Sequence, residues 1–220
     1  MKKLVMTAAV LACATSMVAA QTVTSANIVG YNKEASAVGF HISGMQFDNA
    51  AANTPTTVYG DSLASGSKIY TWNGSSYVIA SYGPSFVPFV GLVTKWNNEP
   101  ALGNGDGYWV ESVGVAETIR NGEVPMDAAI TNSIVAGFQL CSYPYPVDRV
   151  ISNLGFTPTS GDKIYAWNGT GYDIVSYGPS FVPFVGLVTK WNNETLPIAV
   201  GQGFWYEAAA GSTWIATKPF

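Results

Sequence analysis

The sequence has few of the residues on which enzyme and metal sites most often depend. It contains one histidine, His41, and two cysteines. A single imidazole excludes a zinc site built from several histidines. No Gly-x-Ser-x-Gly elbow, phosphate loop or dinucleotide fingerprint occurs in the chain either. The sequence therefore predicts no catalytic residue, no metal site and no cofactor.

Charge is also scarce, because only 11% of the residues are charged, and acidic residues outnumber basic ones by 14 to 10. A protein that binds nucleic acid normally presents a basic face, so this class of partner is excluded. The chain is instead rich in turn formers and rings, with 23 Gly, 12 Pro and 13% aromatic residues. This composition favours β structure over a helical bundle.

Residues 1–20 have the features of a bacterial signal peptide. Lys2 and Lys3 form a basic start, an apolar stretch follows, and Val18-Ala19-Ala20 offers small residues for cleavage. The sequence therefore predicts an exported protein of the periplasm, the cell surface or the extracellular space. Association with a membrane is expected only if Cys13 is lipidated or if the chain forms a barrel.

Removal of that peptide would leave Cys141 as the only cysteine. An intramolecular disulfide is then excluded, although the predicted compartment would permit one. Because Cys141 follows the apolar residues Phe138 and Leu140, it is interpreted as a small core residue rather than a reactive thiol. The mature chain must be stabilised by burial alone.

The chain is a tandem duplication. Residues 81–99 recur without a change at residues 176–194, and the similarity extends to both sides with substitutions. A repeat of about 95 residues is long enough for a core of its own. The sequence therefore predicts two domains, at residues 21–124 and 125–220, with a single pseudo-twofold domain as the alternative.

Each copy carries the pattern of short strands joined by tight turns. Asn73-Gly74 and its counterpart Asn168-Gly169 lie between runs of β-forming residues, which predicts a hairpin with a type I′ turn. Gly-x-Gly bends precede two further strand patterns, at residues 108–111 and 204–207. The predicted fold is all-β, with two homologous β-sandwich or small-barrel domains in tandem.

The second copy resembles a broad class of bacterial secreted and cell-surface β-domains. The residues that carry this resemblance are Gly137-Phe138-Gln139-Leu140, Tyr143-Pro144-Tyr145-Pro146, Lys163-Ile164-Tyr165-Ala166-Trp167-Asn168-Gly169 and Gly201-Gln202-Gly203-Phe204-Trp205. The first copy departs from the pattern, since residues 44–47 replace the Tyr-Pro-Tyr-Pro segment. The resemblance implies an exported surface or matrix protein, and it implies no catalytic residues.

Inside the unchanged segment, residues 86–93 form an apolar run, Phe-Val-Pro-Phe-Val-Gly-Leu-Val. Pro88 argues against a central strand at this position. The run is too apolar for a solvated loop, so it is expected to fill each core, to line the seam between the copies or to meet another subunit.

The same segment ends in the best candidate for a ligand site. Aromatic rings stack on the apolar faces of sugars while neighbouring amides bond the hydroxyl groups, so the two Trp-Asn-Asn-Glu sequences are candidate glycan contacts. They comprise Trp96, Asn97, Asn98, Glu99, Trp191, Asn192, Asn193 and Glu194. The alternative is that both tryptophans belong to the core and that Asn-Asn makes the following turn.

Glycoside hydrolysis needs only two carboxylates, about 5–10 Å apart. Each copy has a matched pair, Glu99 with Glu111 and Glu194 with Glu207. Such acids are more often found at strand ends facing water. A domain of this size also leaves little room for both a core and a deep cleft, so the chain is expected not to be an enzyme.

Three functions from different classes remain. The first is a non-enzymatic surface or matrix protein whose paired β-domains mediate adhesion or assembly, with other surface proteins or further copies of the chain as partners. The second is a carbohydrate-binding protein that uses the Trp-Asn-Asn sequences. The third is a small outer-membrane barrel, although its strand patterns are shorter than a membrane-spanning strand requires.

Overall fold

The structure is a computed structural model that describes residues 28–220. The predicted signal peptide, with Cys13, lies outside the described residues. Within residues 28–220, no helix has the length and apolar character needed to cross a membrane.

The fold is all-β, as the sequence predicts, with two tandem β-domains. The first copy contains seven strands and a one-turn helix: β1 (Val29–Ser36), β2 (Gly39–Gly44), α1 (Pro55–Val58), β3 (Lys68–Trp72), β4 (Tyr77–Val87), β5 (Gly91–Trp96), β6 (Gly107–Ser112) and β7 (Ala116–Glu123). The second copy repeats this order with two short extra strands: β8 (Ala129–Ile134), β9 (Gly137–Ser142), β10 (Arg149–Val150), β11 (Lys163–Trp167), β12 (Tyr172–Val182), β13 (Gly186–Trp191), β14 (Pro197–Ile198), β15 (Gly203–Ala208) and β16 (Ser212–Thr217).

Each copy builds one five-stranded antiparallel sheet and a two-stranded ribbon of its first and last strands, and the second copy adds a short pair of β10 with β14. The sheet of the first copy has the order β2-β6-β3-β4-β5, and its ribbon pairs β1 with β7. The second copy has the equivalent order β9-β15-β11-β12-β13 and the ribbon β8-β16. Because the ribbon joins the first and last strands of its own copy, each copy closes on itself.

Alternation along the sheet strands separates a core face from an outer face. In β3, Ile69 is buried on the core face, whereas Lys68, Tyr70 and Trp72 point to the other face. The same alternation occurs in β11, where Ile164 is buried. In each copy one face of the sheet therefore packs on the core, and the other carries a row of large polar and aromatic side chains.

The predicted hairpins are present, but their turns are longer than predicted. β3 and β4 pair as far as Trp72 and Tyr77, which leaves a four-residue loop in place of a two-residue type I′ turn. The Oδ1 atom of Asn73 accepts hydrogen bonds from the backbone N–H groups of Ser75 and Ser76, at 3.0 and 2.9 Å. The asparagine side chain thus stabilises the four-residue loop, and this loop forms in place of the two-residue type I′ turn.

The two copies meet through reciprocal contacts. The backbone N–H of Gly44 donates to Gly201 at 2.9 Å, and that of its counterpart Ser142 donates to Gly105 at 2.8 Å. The indole of Trp72 donates to the carbonyl of Phe138 at 3.0 Å. In exchange, the indole of Trp167 donates to the carbonyl of Phe40 at 2.9 Å. Exchange of equivalent contacts indicates an approximate twofold axis between the copies.

Candidate functional site

The two tryptophans of the Trp-Asn-Asn sequences are core residues. Trp96 and Trp191 are only 5% and 6% exposed, and both belong to the hydrophobic cores. The ring centroid of Trp96 lies 5.2 Å from that of Tyr82, and its indole donates to the carbonyl of Gly60 at 3.0 Å. Buried rings cannot stack on a sugar. Trp96 and Trp191 therefore pack in the cores, which was the alternative to a glycan contact at both positions.

The asparagines that follow brace the ends of strands. The Oδ1 atoms of Asn97 and Asn192 accept hydrogen bonds from the backbone N–H groups of Ser81 and Ser176, at 2.8 and 3.0 Å. The next pair is exposed, and Asn98 bonds the carbonyl of Ile79 at 3.3 Å. Asn193 accepts from the Thr195 hydroxyl at 3.3 Å. These amides have structural partners within the chain.

Three of the four glutamate side chains, those of Glu99, Glu111 and Glu207, have hydrogen-bond partners in the structure. Glu99 accepts hydrogen bonds from the backbone and hydroxyl of Thr56. Burial raises the pKa of Glu99, but these bonds outweigh it and the net pKa is lowered. Glu194 is exposed, and its backbone carbonyl accepts from Ser152 at 3.0 Å.

Glu111 and Glu207 lie on the outer faces of the two sheets, in equivalent clusters. The hydroxyl of Tyr70 donates to Glu111, and the ammonium of Lys68 lies 3.2 Å from the same carboxylate. These bonds, chiefly the one from Tyr70, lower the pKa of Glu111, and the corresponding bonds lower the pKa of Glu207. Each of these two carboxylates is therefore held by a tyrosine hydroxyl and a lysine ammonium.

The most exposed apolar feature of the described chain is a pair of projecting hairpins. Strand β4 pairs with β3 only as far as Ser81, and from Tyr82 to Val87 it pairs with β5 alone. The outer half of the hairpin therefore has no sheet neighbour beyond its own two strands. Strands β12 and β13 form the same hairpin in the second copy.

We define the apolar tips as residues 86–92 and 181–187, the ends of these hairpins. The Phe89 and Phe184 rings are fully exposed. Phe86 and Leu92, which face each other across the hairpin, are each 74% exposed, as are Phe181 and Leu187. The prediction that this run is too apolar for solvent is thus wrong for the single chain. It neither fills a core nor lines the seam, and the third expectation, contact with another molecule, stays a prediction.

The turn at each tip holds a phenylalanine in an unfavourable backbone conformation. The N–H of Val90 donates to the carbonyl of Val87 at 3.1 Å, which closes a turn with Pro88 and Phe89 at its centre. Phe89 has a φ of 66° and Phe184 a φ of 67°. In such a turn the second central residue is normally Gly or Asn, because positive φ brings the Cβ of other residues too close to the backbone.

A second surface was missed by the sequence reasoning: two aromatic grooves at the junction of the copies. We call them the interdomain grooves, and their volumes are about 430 and 440 Å³. The first is lined by Phe40, Tyr70, Tyr77, Trp109, Trp167 and Tyr172. The second is lined by Trp72, Tyr77, Phe138, Tyr165, Tyr172, Ile174 and Trp205. Each groove draws its wall from both copies.

The signal for these grooves is present in the alternation of the strands. Lys68, Tyr70 and Trp72 occupy one face of β3, opposite the buried Ile69. Aromatic residues on the strand face that points away from the core predict a surface that is covered by another part of the protein or that binds a ligand. Their convergence depends on the way the two copies pack, which the sequence does not specify.

Comparison of the chain with protein-family models, with curated proteins and with solved structures gives no match.

Proposed function

We propose that this chain is an exported, non-enzymatic protein of a surface layer or extracellular matrix, and that it associates with other molecules through its two apolar tips. The observation that carries the proposal is the fully exposed phenylalanine held at positive φ in both hairpins. Two costs coincide at this residue. One is the exposure of a large ring to water, and the other is the strained backbone beneath it.

Backbone strain in a folded protein is commonly found where function requires a particular side chain in a particular place. Gly or Asn would satisfy this turn without strain. Phe stands there in both copies, near the middle of a 19-residue segment with no substitution between them. A ring that contacts only water contributes nothing to folding. We therefore infer that it contributes to a contact with another molecule.

The size of the tips supports the same proposal. An aromatic side chain buries roughly 150–250 Å² when it is covered, so the two rings of one tip offer about 300–500 Å². An apolar patch of this size on a monomer typically marks an interaction site. Two equivalent tips on one chain add avidity where both engage a repetitive partner. The signal peptide and the resemblance described above favour a location where such partners occur.

The test replaces Phe89 and Phe184 with Ser in the organism that makes the chain. We expect the doubly substituted protein to leave the sedimentable envelope or matrix fraction and to appear in the soluble fraction. Because both rings are fully exposed, the fold should be unaffected, and circular dichroism of the purified variant checks this. Tyr31→Ser provides the matched control, since Tyr31 is an exposed ring on β1, outside the tips. Equal partitioning of the wild type and both variants would refute the proposal.

A further inference from the structure

The surface of this chain offers a matching receptor for its own apolar tips. We propose that each tip docks into an interdomain groove of a second copy, so that copies of the chain assemble tip to groove. This inference rests on the proposed function and names the partner of the same tips.

Number and equivalence are the first argument. One chain carries two tips of the same sequence and two grooves of nearly the same volume, about 430 and 440 Å³. Apart from Ile174 in the second groove, the linings correspond, with Phe40 and Phe138 at equivalent places on β2 and β9. Tyr77 and Tyr172 line both grooves. Among residues 28–220, the number of apolar tips thus equals the number of these aromatic grooves.

The chemistry of the grooves fits an apolar tip. Their walls are almost entirely ring carbon, and sites of roughly 300–1,000 Å³ enclose compact ligands. The nearby polar groups already have partners in the chain. The indoles of Trp72 and Trp167 donate to backbone carbonyls, and Tyr70 and Lys68 bond Glu111. A sugar needs free donors and acceptors for its hydroxyl groups, whereas Phe, Val and Leu side chains need none.

The area that one contact can bury is small. The two rings of one tip offer about 300–500 Å², and specific, stable interfaces begin at roughly 1,200 Å². Docking of both tips on the same second copy adds a second contact and gives avidity. The duplication of the chain thus strengthens a contact that is weak by itself.

A contact between a tip and a groove joins two different surfaces, so it is a head-to-tail contact. Contacts of this kind close into rings if the rotation allows, and otherwise they continue as filaments. Either product is a multimer whose size increases with protein concentration. This behaviour suits a matrix or surface layer.

The test uses the purified mature chain in sedimentation velocity over a range of concentrations. We expect the wild type to form concentration-dependent multimers. The tip variant combines Phe89→Ser with Phe184→Ser, and the groove variant combines Phe40→Ser with Phe138→Ser. Each should weaken self-association by more than about a hundredfold, because central aromatic anchors dominate interfaces. Tyr31→Ser should associate like the wild type.

Mixing the two variants decides between tip-to-groove docking and other modes. The tip variant retains its grooves and the groove variant retains its tips, so an equimolar mixture should again form complexes. Tips that dock on tips, or grooves that dock on grooves, would give no such complementation. Failure of the mixture to associate, with both variants folded by circular dichroism, overturns the inference.

A photo-crosslinker keeps the inference testable if the groove variant does not fold. Benzoylphenylalanine in place of Phe89 preserves the ring at the tip. Irradiation of a mixture of isotope-labelled and unlabelled chains should give interchain crosslinks to β2, β3 or β6, or to their counterparts β9, β11 and β15. Interchain crosslinks confined to another tip would overturn the inference.

Three outcomes separate this inference from the proposed function. If the wild type stays monomeric at all concentrations but the tip variant still leaves the matrix fraction, the tips bind another partner, and only self-docking fails. If cellohexaose quenches the groove tryptophans of a monomeric wild type, the grooves bind a glycan, and self-docking fails again. If the tip variant stays in the matrix fraction, the proposed function itself fails.

Discussion

The two copies of the repeat agree at their surface hairpins and differ in their cores. Residues 81–99 and 176–194 are identical, yet the ribbon that closes each core carries different chemistry. In the first copy, Glu34 faces Thr118 across the β1–β7 pair. At the equivalent place in the second copy, Asn132 faces Trp214 across the β8–β16 pair. The ribbon side of each core changed its chemistry, whereas the hairpin, with its exposed tip and the core residue Trp96, kept every residue.

The core of the first copy contains a buried ion pair. The guanidinium of Arg120 donates to the hydroxyl of Ser43 at 2.8 Å, and its Nε lies 3.6 Å from the carboxylate of Glu34. Ser43 and Tyr59 donate to the same carboxylate, at 2.6 and 3.2 Å. Burial is the largest single effect and raises the pKa of Glu34, but the charge of Arg120 together with the contacts with His41 and Ser43 outweighs it, so the pKa falls to about 2.

The core of the second copy replaces these charges with stacked rings. Phe156 lies between Tyr206 and Trp214, with ring centroids 4.2 and 4.5 Å apart and planes within 16° of parallel. Ala216 occupies the place of Arg120. Two different solutions therefore close the same fold. The chemistry of a core is interchangeable as long as its volume is filled and its polar groups are paired.

The largest predicted effect breaks the ion pair of the first copy. Arg120→Ala introduces the residue of the second copy and leaves the Glu34 carboxylate buried without its cation. Loss of one partner of a buried pair costs about 3–5 kcal/mol of unfolding free energy. Native-state hydrogen exchange reports on each copy separately. Protection of the β6 amides in the first copy should fall, while protection of the β15 amides in the second copy should change little.

The matched control introduces the residues of the second copy at both positions of the ion pair. Glu34→Asn combined with Arg120→Ala removes the carboxylate together with its partner, so no charge is left unpaired. We expect at least half of the lost protection to return. A double variant as unstable as the single one would show that the arginine acts through packing rather than charge.

Acidification should destabilise the first copy more than the second. The expected loss of unfolding free energy is somewhat smaller than that caused by Arg120→Ala. The folded-state pKa of Glu34, about 2, lies below its unfolded value of 4.5. The resulting stabilisation is full above pH 4.5 and is lost as the pH falls towards 2, to a maximum of about 3 kcal/mol. The second copy has Asn132 at this position and lacks this contribution. On acidification from pH 5 to pH 3, the β6 amides should lose more protection than the β15 amides.

Two features make this a test of Glu34 in particular. Glu111 and Glu207 have lowered pKa values for the same reasons in equivalent places, so their effects cancel in the comparison of copies. The pKa of Glu99 in the first copy is also lowered, so a variant of Glu34 is needed to assign the difference. Glu34→Gln should remove most of the excess acid sensitivity of the first copy. Equal loss of protection in both copies of the wild type would contradict the assignment.

Much of the fold could be predicted from the sequence because its signals are local. Alternating residues around Asn73-Gly74 predict the hairpin, and Gly-x-Gly bends before β6 and β15 predict those strands. The predicted turn at Asn73 was too short, because the asparagine side chain bonds the backbone of a longer loop. Such competition between two local hydrogen-bond patterns is decided by geometry that the sequence does not display.

The candidate site was harder to predict, because exposure depends on what lies above a residue in space. Trp96 and Phe89 are both aromatic residues of the same repeat, yet Trp96 is buried and Phe89 is fully exposed. Pro88 argues against a central strand, but the sequence does not show that the pairing of β4 with β3 stops at Ser81, before the tip begins. The interdomain grooves depend on packing between the copies, which no local pattern encodes.

The smallest predicted effect concerns the tips, where the copies should respond alike. Phe89→Gly removes the penalty of positive φ, offset in part by the greater freedom of glycine in the unfolded chain, so the gain is about 0.5–1 kcal/mol of unfolding free energy. Phe184→Gly should give the same gain, because its φ differs by only 1°. Phe86→Ser is the control, since it removes an exposed ring without a positive φ and should give no gain. Denaturant unfolding measures the stabilities, and a loss of stability in both glycine variants would show that the rings support their own hairpins. If the glycine variants are more stable but no longer self-associate, the strain at each tip is maintained for the contact that the ring makes with another molecule.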